Sequence, residues 1–163
     1  MGDQKFWLFK SEPKAYSFQD LVGEKYQTAE WDGVRNYQAR NFLRDEMKTG
    51  DGVLFYHSSS DPLAIIGLAK IVREGYPDFT AFDATSIHYD PKSTKENPIW
   101  YMVDIKAEKE FNEPITRDLL KRTNGLEDMI LLQRGSRLSI QPVTSVQWEI
   151  IIRMEQLNKE VKR

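Results

Sequence analysis

Four apolar runs, bounded by turn-forming residues, predict the main strands of the chain. They cover residues 5–10, 52–57, 64–73 and 99–110. The third run is long and rich in β-branched residues, and Gly67 inside it predicts a bulge or a close approach of two backbones. From Met102 onward the fourth run alternates charged and apolar residues, as a strand with one buried face does.

The helices predicted between and after these strands are short. Ser17 and Asp20 have the spacing of a capping box, Thr116 is a helix cap, and Thr144 or Ser145 begins the last helix. The other predicted helices cover residues 36–47, 117–122 and 126–132. In the helix over 36–47 an apolar side forms from Tyr37, Phe42, Leu43 and Met47, and Arg40 and Arg44 share another face.

Residues 76–98 contain three prolines and predict a long irregular excursion from the sheet. The chain has 163 residues and neither an internal repeat nor a Pro/Gly-rich linker. We therefore expect an α+β fold with one domain over residues 1–163, in which residues 154–163 form a frayed C-terminal helical tail.

Charge is unevenly distributed along the chain. The formal net charge is −2, which excludes a general basic coat for nucleic acid, but residues 33–44 and 129–143 carry +3 and +2 with no acidic residue. Such acid-free segments on an acidic body are typical of a local anion site, and chance clustering gives the same pattern. The absence of cysteine excludes disulfides and thiolate chemistry. No run is apolar enough to span a membrane and residues 1–10 lack a signal peptide, so we expect a cytoplasmic protein, or a nuclear one in a eukaryote.

The residues that carry chemistry in most enzymes give little support for catalysis. His57 and Ser58 are adjacent, so in a strand their side chains point to opposite faces and do not form a base and nucleophile pair. The two histidines lack a metal-binding spacing, and no Gly-rich phosphate loop follows a strand. We predict a protein that is not an enzyme and has no cofactor and no metal; a hydrolytic pair of carboxylates is neither indicated nor excluded.

Aromatic and polar residues are interleaved in residues 31–41. Trp31 and Tyr37 are candidates for stacking on a base, and Arg35 and Arg40 are candidates for binding phosphate. Asn36 has the residue type for reading a base edge and also for capping the helix that follows. The alternative interpretation is a helix start with a solvated polar face.

Three further dense segments lie near strand ends. In residues 10–13 the carboxylate of Glu12 is a natural acceptor for the exocyclic amino group of cytosine. The other two segments are residues 55–59 and 134–142, and in the latter Arg137, Ser139 and Gln141 would share one strand face. An ordinary turn at residues 11–13 and a core position for Tyr56 are the alternatives.

Several ordered motifs in the chain resemble the EVE domain family. They are residues 7–13, 31–41, 55–58, 89–91 with 100–101, and 137–143, and the resemblance extends from Phe6 to about Ile152. It implies a PUA-like fold, which is a small mixed β-barrel with short flanking helices, related to the YTH domains that bind a modified base in an aromatic pocket. It also implies binding of a modified cytosine in DNA by taking the base out of the stack.

From these residues and the resemblance we predict a reader of a flipped 5-methylcytosine or 5-hydroxymethylcytosine, with nucleic acid as its partner, no membrane and no obligate protein partner. The predicted base pocket contains Ser11, Glu12, Trp31, Asn36, Tyr37, Tyr56, Ser58 and Gln141. The predicted phosphate contacts are Lys10, Arg35, Arg40 and Arg137. The alternatives are a PUA-like RNA-binding module, a nucleotide-directed enzyme that uses His57 or Glu12, and a protein-interaction domain that uses residues 76–98.

Overall fold

The computed structural model describes the backbone of residues 3–161 and the side chains of residues 3–158, and this part of the chain forms one six-stranded sheet. The strands are β1 (Phe6–Ser11), β2 (Thr28–Glu30), β3 (Gly52–His57), β4 (Ala64–Pro77), β5 (Tyr101–Thr116) and β6 (Ile140–Val143). They lie in the order β2-β5-β4-β3-β1-β6. The pair β1 and β3 is parallel and the other neighbouring pairs are antiparallel, so the sheet is mixed.

The helices are α1 (Phe18–Val22), α2 (Tyr37–Asn41), α3 (Arg117–Lys121) and α4 (Ser145–Val161). The predicted caps are confirmed: Ser17 and Asp20 form the capping box of α1, Thr116 accepts from Leu119 N, and Thr144 Oγ1 accepts from Gln147 N. The predicted tail over 154–163 lies within α4 as far as Val161, and residues 162–163 lie outside the described residues.

Two predicted helices differ from the structure. Of the helix expected over 36–47, only Tyr37–Asn41 is α-helical. The following residues, Phe42–Glu46, form a wider π-helical turn. The segment 126–132 contains a 3-10 turn at Ile130–Leu132. Short apolar segments such as these take their conformation from the surface they pack on, because isolated helices of this length are not stable.

The predicted strands are confirmed, and two of them are longer than predicted. β4 continues past Arg73 to Pro77 because Tyr76 and Pro77 pair with Met102 and Tyr101 of β5. The bulge predicted at Gly67 is also present: the register with β5 shifts there, and a Cβ atom on Gly67 would lie 2.6 Å from the carbonyl oxygen of Lys109. Pairing between distant residues therefore extends these strands beyond their local sequence signals.

The predicted barrel is corrected to an open sheet. β2 and β6 are its two edges, and in the described part of the chain no pairing joins them. The edge strands have three and four residues, and a cavity bordered by Trp31 separates them. The mixed α+β architecture with short flanking helices is as predicted.

The core has two layers, one on each face of the sheet, because successive side chains of a strand point to opposite sides. In β1, Trp7 and Phe9 belong to the first layer, which α1 and α2 cover, and Leu8 belongs to the second, which α3 and α4 cover. β3 follows the same alternation, with Phe55 in the first layer and Tyr56 in the second.

The buried carboxylate of Asp51 ties the start of β1 to the turn before β3. It accepts hydrogen bonds from Trp7 Nε1 at 3.0 Å and from the backbone N–H groups of Lys5 and Lys48 at 3.1 and 3.0 Å. Asp51 is 2% exposed, so water does not take the place of the carboxylate as acceptor when it is removed.

We expect Asp51→Ala to lower the free energy of unfolding by about 3 kcal/mol, because it leaves a buried indole N–H and two backbone N–H groups without their acceptor. Urea denaturation measures this change. The control is Asp83→Ala, since Asp83 is exposed and its carboxylate accepts from Thr85 within its own turn. Equal losses in the two variants would show that Asp51 does not have this role.

We also expect the free energy of unfolding to fall as the pH decreases below about 6.5, through His57. His57 Nε2 accepts from Phe18 N at 3.1 Å, and burial lowers the pKa of His57, so the folded state favours the neutral ring. The unfolded chain therefore takes up the proton first, and stability is lost as the pH falls through the lower folded pKa. Urea melts between pH 8 and pH 5.5 should show a shallower decline in His57→Gln, and identical slopes would contradict this role.

Candidate functional site

A cavity of about 970 Å³ lies between the two edges of the open sheet. Its wall includes the end of β1 with the turn that follows, β2 with residues 31–35, the loop residues Ile87 and His88, and Ser139 just before β6. Lys10 N donates to Ser139 O at 2.8 Å, and this bond holds the β6 side of the wall against β1. A cavity of this size is large enough for a small molecule or for part of a larger one.

Trp31 forms the aromatic part of the wall and is supported by the core behind it. Its ring lies 5.3 Å from that of Phe9 and 5.6 Å from that of Phe55, and Tyr16 packs against its edge at 6.0 Å. Its backbone N–H donates to Val103 O at 2.8 Å, which extends the pairing of β2 with β5 by one residue. Trp31 is partly buried, so it combines a core contact with a surface open to the cavity.

The polar part of the wall is acidic. Four carboxylates face two cationic side chains; they are Glu12, Glu24, Glu30 and Asp32, with Lys10 and Arg35. Burial and the nearby charge of Asp78 raise the pKa of Asp32, while His88 and Arg35 oppose this shift. Tyr16 donates its hydroxyl to Glu24 at 3.2 Å. A wall with excess carboxylate favours a ligand that presents hydrogen-bond donors.

The carboxylate of Asp78 holds residues 33–35 in place. Its Oδ2 accepts from Gly33 N at 2.8 Å and from Arg35 Nη1 at 2.9 Å, and Arg35 Nη2 donates to His88 O at 2.6 Å. Burial opposes ionisation, but the hydrogen bonds from Thr80, Gly33 and Arg35 hold the pKa of Asp78 below its ordinary value. The prediction that Arg35 binds phosphate is therefore corrected: its charge is paired with a buried carboxylate and its role is to join two segments of the wall.

Gly33 is the residue that lets the loop approach this closely. It has a φ of +80°, and a Cβ atom there would lie 2.6 Å from the imidazole of His88. The left-handed backbone and the packed ring both require glycine at this position.

Five predicted site residues meet at the cavity: Lys10, Ser11, Glu12, Trp31 and Arg35. The details differ from the prediction for two of them. Ser11 donates its hydroxyl to Tyr16 O, so this group is already engaged within the turn. Glu12 is exposed and accepts from Ser59 Oγ at 3.3 Å, so its carboxylate already has a partner within the protein.

Three predicted residues of the α2 region lie outside the cavity wall. Asn36 caps α2, with its Oδ1 accepting from Ala39 N at 2.9 Å, as the alternative interpretation predicted. Tyr37 is 59% exposed, and its ring centroid lies 4.9 Å from that of Trp100. The prediction that Tyr37 belongs to the buried apolar side of the helix is therefore wrong. Arg40 donates to Ile99 O at 2.8 Å and lies near the ring of Tyr37.

Tyr56 and Gln141 are withdrawn from the base pocket because both are buried. Tyr56 belongs to the second core layer, on the face of the sheet opposite to Trp31. Gln141 is 1% exposed and donates to Leu138 O at 2.8 Å.

Ser58 and Arg137 also lie outside the wall. Ser58 follows the end of β3, where its backbone N–H donates to Ser11 O. β6 begins at Ile140, so the predicted strand face of Arg137, Ser139 and Gln141 does not form; Ser139 reaches the cavity and Arg137 is exposed.

The structure adds site residues that the sequence analysis did not select. They are Tyr16, Asp32, Ile87 and His88. Asp32 follows Trp31 within the motif of residues 31–41, so the sequence alone could have identified it as a candidate site residue. Tyr16 and Ile87 reach the cavity only through the fold, and no local pattern identifies them.

Two further classes of site are not found in the described residues. No group of three or more His, Asp or Glu side chains there has an arrangement that could hold a metal ion. Among the same residues no helix is both long enough and apolar enough to cross a bilayer.

The comparisons with known proteins agree on one family. A model of the EVE domain matches residues 5–154. Thymocyte nuclear protein 1 of Danio rerio is 44% identical over 166 residues, covering 91% of this chain and 71% of the relative. The protein of the same name from Homo sapiens is 43% identical and covers 92% of this chain and 73% of its own length.

Solved structures have the same fold. A protein from Leishmania major has a TM-score of 0.89 at 45% identity, covering 96% of this chain and 98% of that one. The human THYN1 protein, solved in complex with DNA that contains 5-methylcytosine, has a TM-score of 0.85 at 42% identity, covering 93% and 98%. With the family model matching most of its length and curated relatives above 40% identity, the chain belongs to the EVE domain family.

Proposed function

We propose that the chain binds DNA containing 5-methylcytosine and holds the methylated base in the cavity beside Trp31. The observation that carries the proposal is the cavity wall itself, in which Trp31 packs on Phe9 and Phe55 and which Asp32 also lines. The human THYN1 complex with 5-methylcytosine DNA, at 42% identity, supports the same class of ligand.

The base must leave the duplex to reach such a wall. A base inside a duplex has both faces stacked, so contact with an indole requires extrusion, which costs a few kcal/mol. Stacking on an aromatic side chain returns about 1–3 kcal/mol per base. The core contacts behind Trp31 keep the indole in position before the base arrives, so little further ordering is needed on binding.

Asp32 is the proposed reader of the base edge. Cytosine presents an exocyclic amino donor, whereas thymine presents a carbonyl acceptor at the same position. A carboxylate accepts a hydrogen bond from the amino group of cytosine, but it leaves the carbonyl of thymine without a donor. This role passes from Glu12 to Asp32 because Asp32 directly follows Trp31 in the chain and lines the cavity, while the carboxylate of Glu12 already accepts from Ser59 Oγ; both residues are exposed.

The phosphates are proposed to meet one cation of the cavity wall, Lys10, and one outside it, Arg137. Arg35 is paired with Asp78 and Arg40 with a backbone carbonyl, which leaves Lys10 at the cavity and the exposed Arg137, two residues before the wall residue Ser139. Contacts of this kind position the nucleic acid and carry no sequence information.

Trp31→Ala should weaken binding to a duplex with a single 5-methylcytosine by about tenfold or more, because it removes the stacking surface. Fluorescence anisotropy gives the Kd, and a thermal melt reports any loss of core contact with Phe9 and Phe55. The matched control is Trp148→Ala: Trp148 stacks on Phe6 at 4.5 Å, on the second layer, and is not part of the wall. A folded Trp31→Ala variant with an unchanged Kd would contradict the proposal.

Matched oligonucleotides with cytosine, 5-methylcytosine, 5-hydroxymethylcytosine or thymine at one position test the role of Asp32. Thymine should bind about tenfold more weakly than 5-methylcytosine, since a buried unsatisfied group costs about 1–3 kcal/mol. Loss of the methyl group should cost roughly 0.8 kcal/mol. Asp32→Asn should reduce the discrimination against thymine and Glu12→Gln should not. Equal binding of the thymine and 5-methylcytosine oligonucleotides by the parent chain would contradict this role. Equal binding of an oligonucleotide with ribose in place of deoxyribose would favour an RNA ligand.

A further inference from the structure

Ile87 is an apolar side chain held in solvent at the rim of the cavity. It is 93% exposed, the highest value among the exposed large hydrophobic residues of the described chain, and it also borders the cavity. Single exposed apolar residues are common on protein surfaces, so exposure alone carries no meaning. The position at the cavity and the way in which the loop is held make Ile87 different.

The residues on the C-terminal side of Ile87 are tied to the protein. His88 N donates to Ser86 Oγ at 3.0 Å, and His88 O accepts from Arg35 Nη2 at 2.6 Å. The ring of His88 packs against Gly33. Further along, Asp90 accepts from Trp100 Nε1 at 2.7 Å, and its backbone N–H donates to Ala81 O at 3.0 Å.

The residues before Ile87 are held in the same way. Ser86 N donates to Asp83 O at 2.9 Å, and the carboxylate of Asp83 accepts from the backbone N–H and hydroxyl of Thr85. Tyr89 N closes the turn by donating to Ser86 O at 3.1 Å. Ile87 therefore lies at the tip of a turn braced on both sides, so its side chain is presented outward without further ordering.

We propose that Ile87 enters the duplex at the place left by the extruded base; this inference rests on the proposed function. When a base leaves the stack, its two neighbours lose contact with it and a gap opens. Apolar side chains, isoleucine among them, are inserted between base steps by proteins that unstack DNA. DNA that places a base in the cavity has to approach the rim of the cavity, where Ile87 lies. An isoleucine side chain fills the gap in the base stack without leaving a polar group unpaired.

The test compares Ile87→Ser with the parent chain on two DNA probes of the same sequence, each with one 5-methylcytosine: a duplex and a single strand. The matched control is Val146→Ser, since Val146 is 64% exposed, lies in the first turn of α4 and is not part of the wall. Because Ile87 has almost no contact with the core, both variants should melt at the temperature of the parent chain.

Ile87→Ser should weaken binding to the duplex by about fivefold or more, as expected for the loss of an apolar contact with the stack. It should weaken binding to the single strand clearly less than binding to the duplex, because a single strand has no paired gap to fill. Val146→Ser should change neither, and Ile87→Leu should retain most of the duplex affinity.

Other results would overturn the inference. An unchanged duplex Kd in Ile87→Ser, with the parent still preferring methylated DNA, would remove the role of Ile87 and leave the proposed function intact. Equal weakening on duplex and single strand would make Ile87 a wall of the base site, and binding of a protein or a membrane surface that depends on Ile87 would assign it to another partner. If the parent chain binds neither methylated probe more tightly than the same DNA without the methyl group, the proposed function fails. This inference then fails with it.

Discussion

The buried carboxylate of Asp78 is the constraint on which the cavity depends. It joins residues 33–35, which follow Trp31, to the loop that carries Ile87 and His88, through bonds to Gly33 N and Arg35 Nη1. A buried charge is tolerated when its hydrogen-bonding capacity is filled, and the other oxygen of Asp78 meets the N–H and hydroxyl of Thr80. Two segments far apart in the chain are therefore fixed by one fully bonded group.

The open sheet supplies the space that this constraint organises. Its edge strands β2 and β6 have three and four residues and are not paired with each other in the described part of the chain. The first core layer continues into the cavity wall through Phe55, Phe9 and Trp31. The indole of Trp31 thus contacts the core on one side and lines the cavity on the other.

The charges of the cavity wall bear on both contacts in the proposed DNA binding, the one to a base and the one to phosphate. Inside the cavity the excess of carboxylates suits the donor groups of a base and does not suit phosphate. Two of the three arginines predicted to contact phosphate have partners within the protein, Asp78 for Arg35 and Ile99 O for Arg40. In the proposed function a chain with a net charge of −2 approaches DNA through a few local cations, Lys10 in the cavity wall and the exposed Arg137.

The sequence by itself determined the local features: the strands β1 and β3, the bulge at Gly67, the caps at Ser17 and Thr116, and the family, because each depends on neighbouring residues or on ordered motifs. Five predicted site residues reach the cavity for the same reason, since they lie in segments that the motifs mark. Only the tertiary structure decided that Tyr56 faces the opposite core layer, that Arg35 is paired with Asp78, 43 residues away, and that Tyr16 and Ile87 border the cavity. Alternation along a strand shows that two faces exist but not which one the ligand meets, and a charge found in a sequence has no partner until the chain folds.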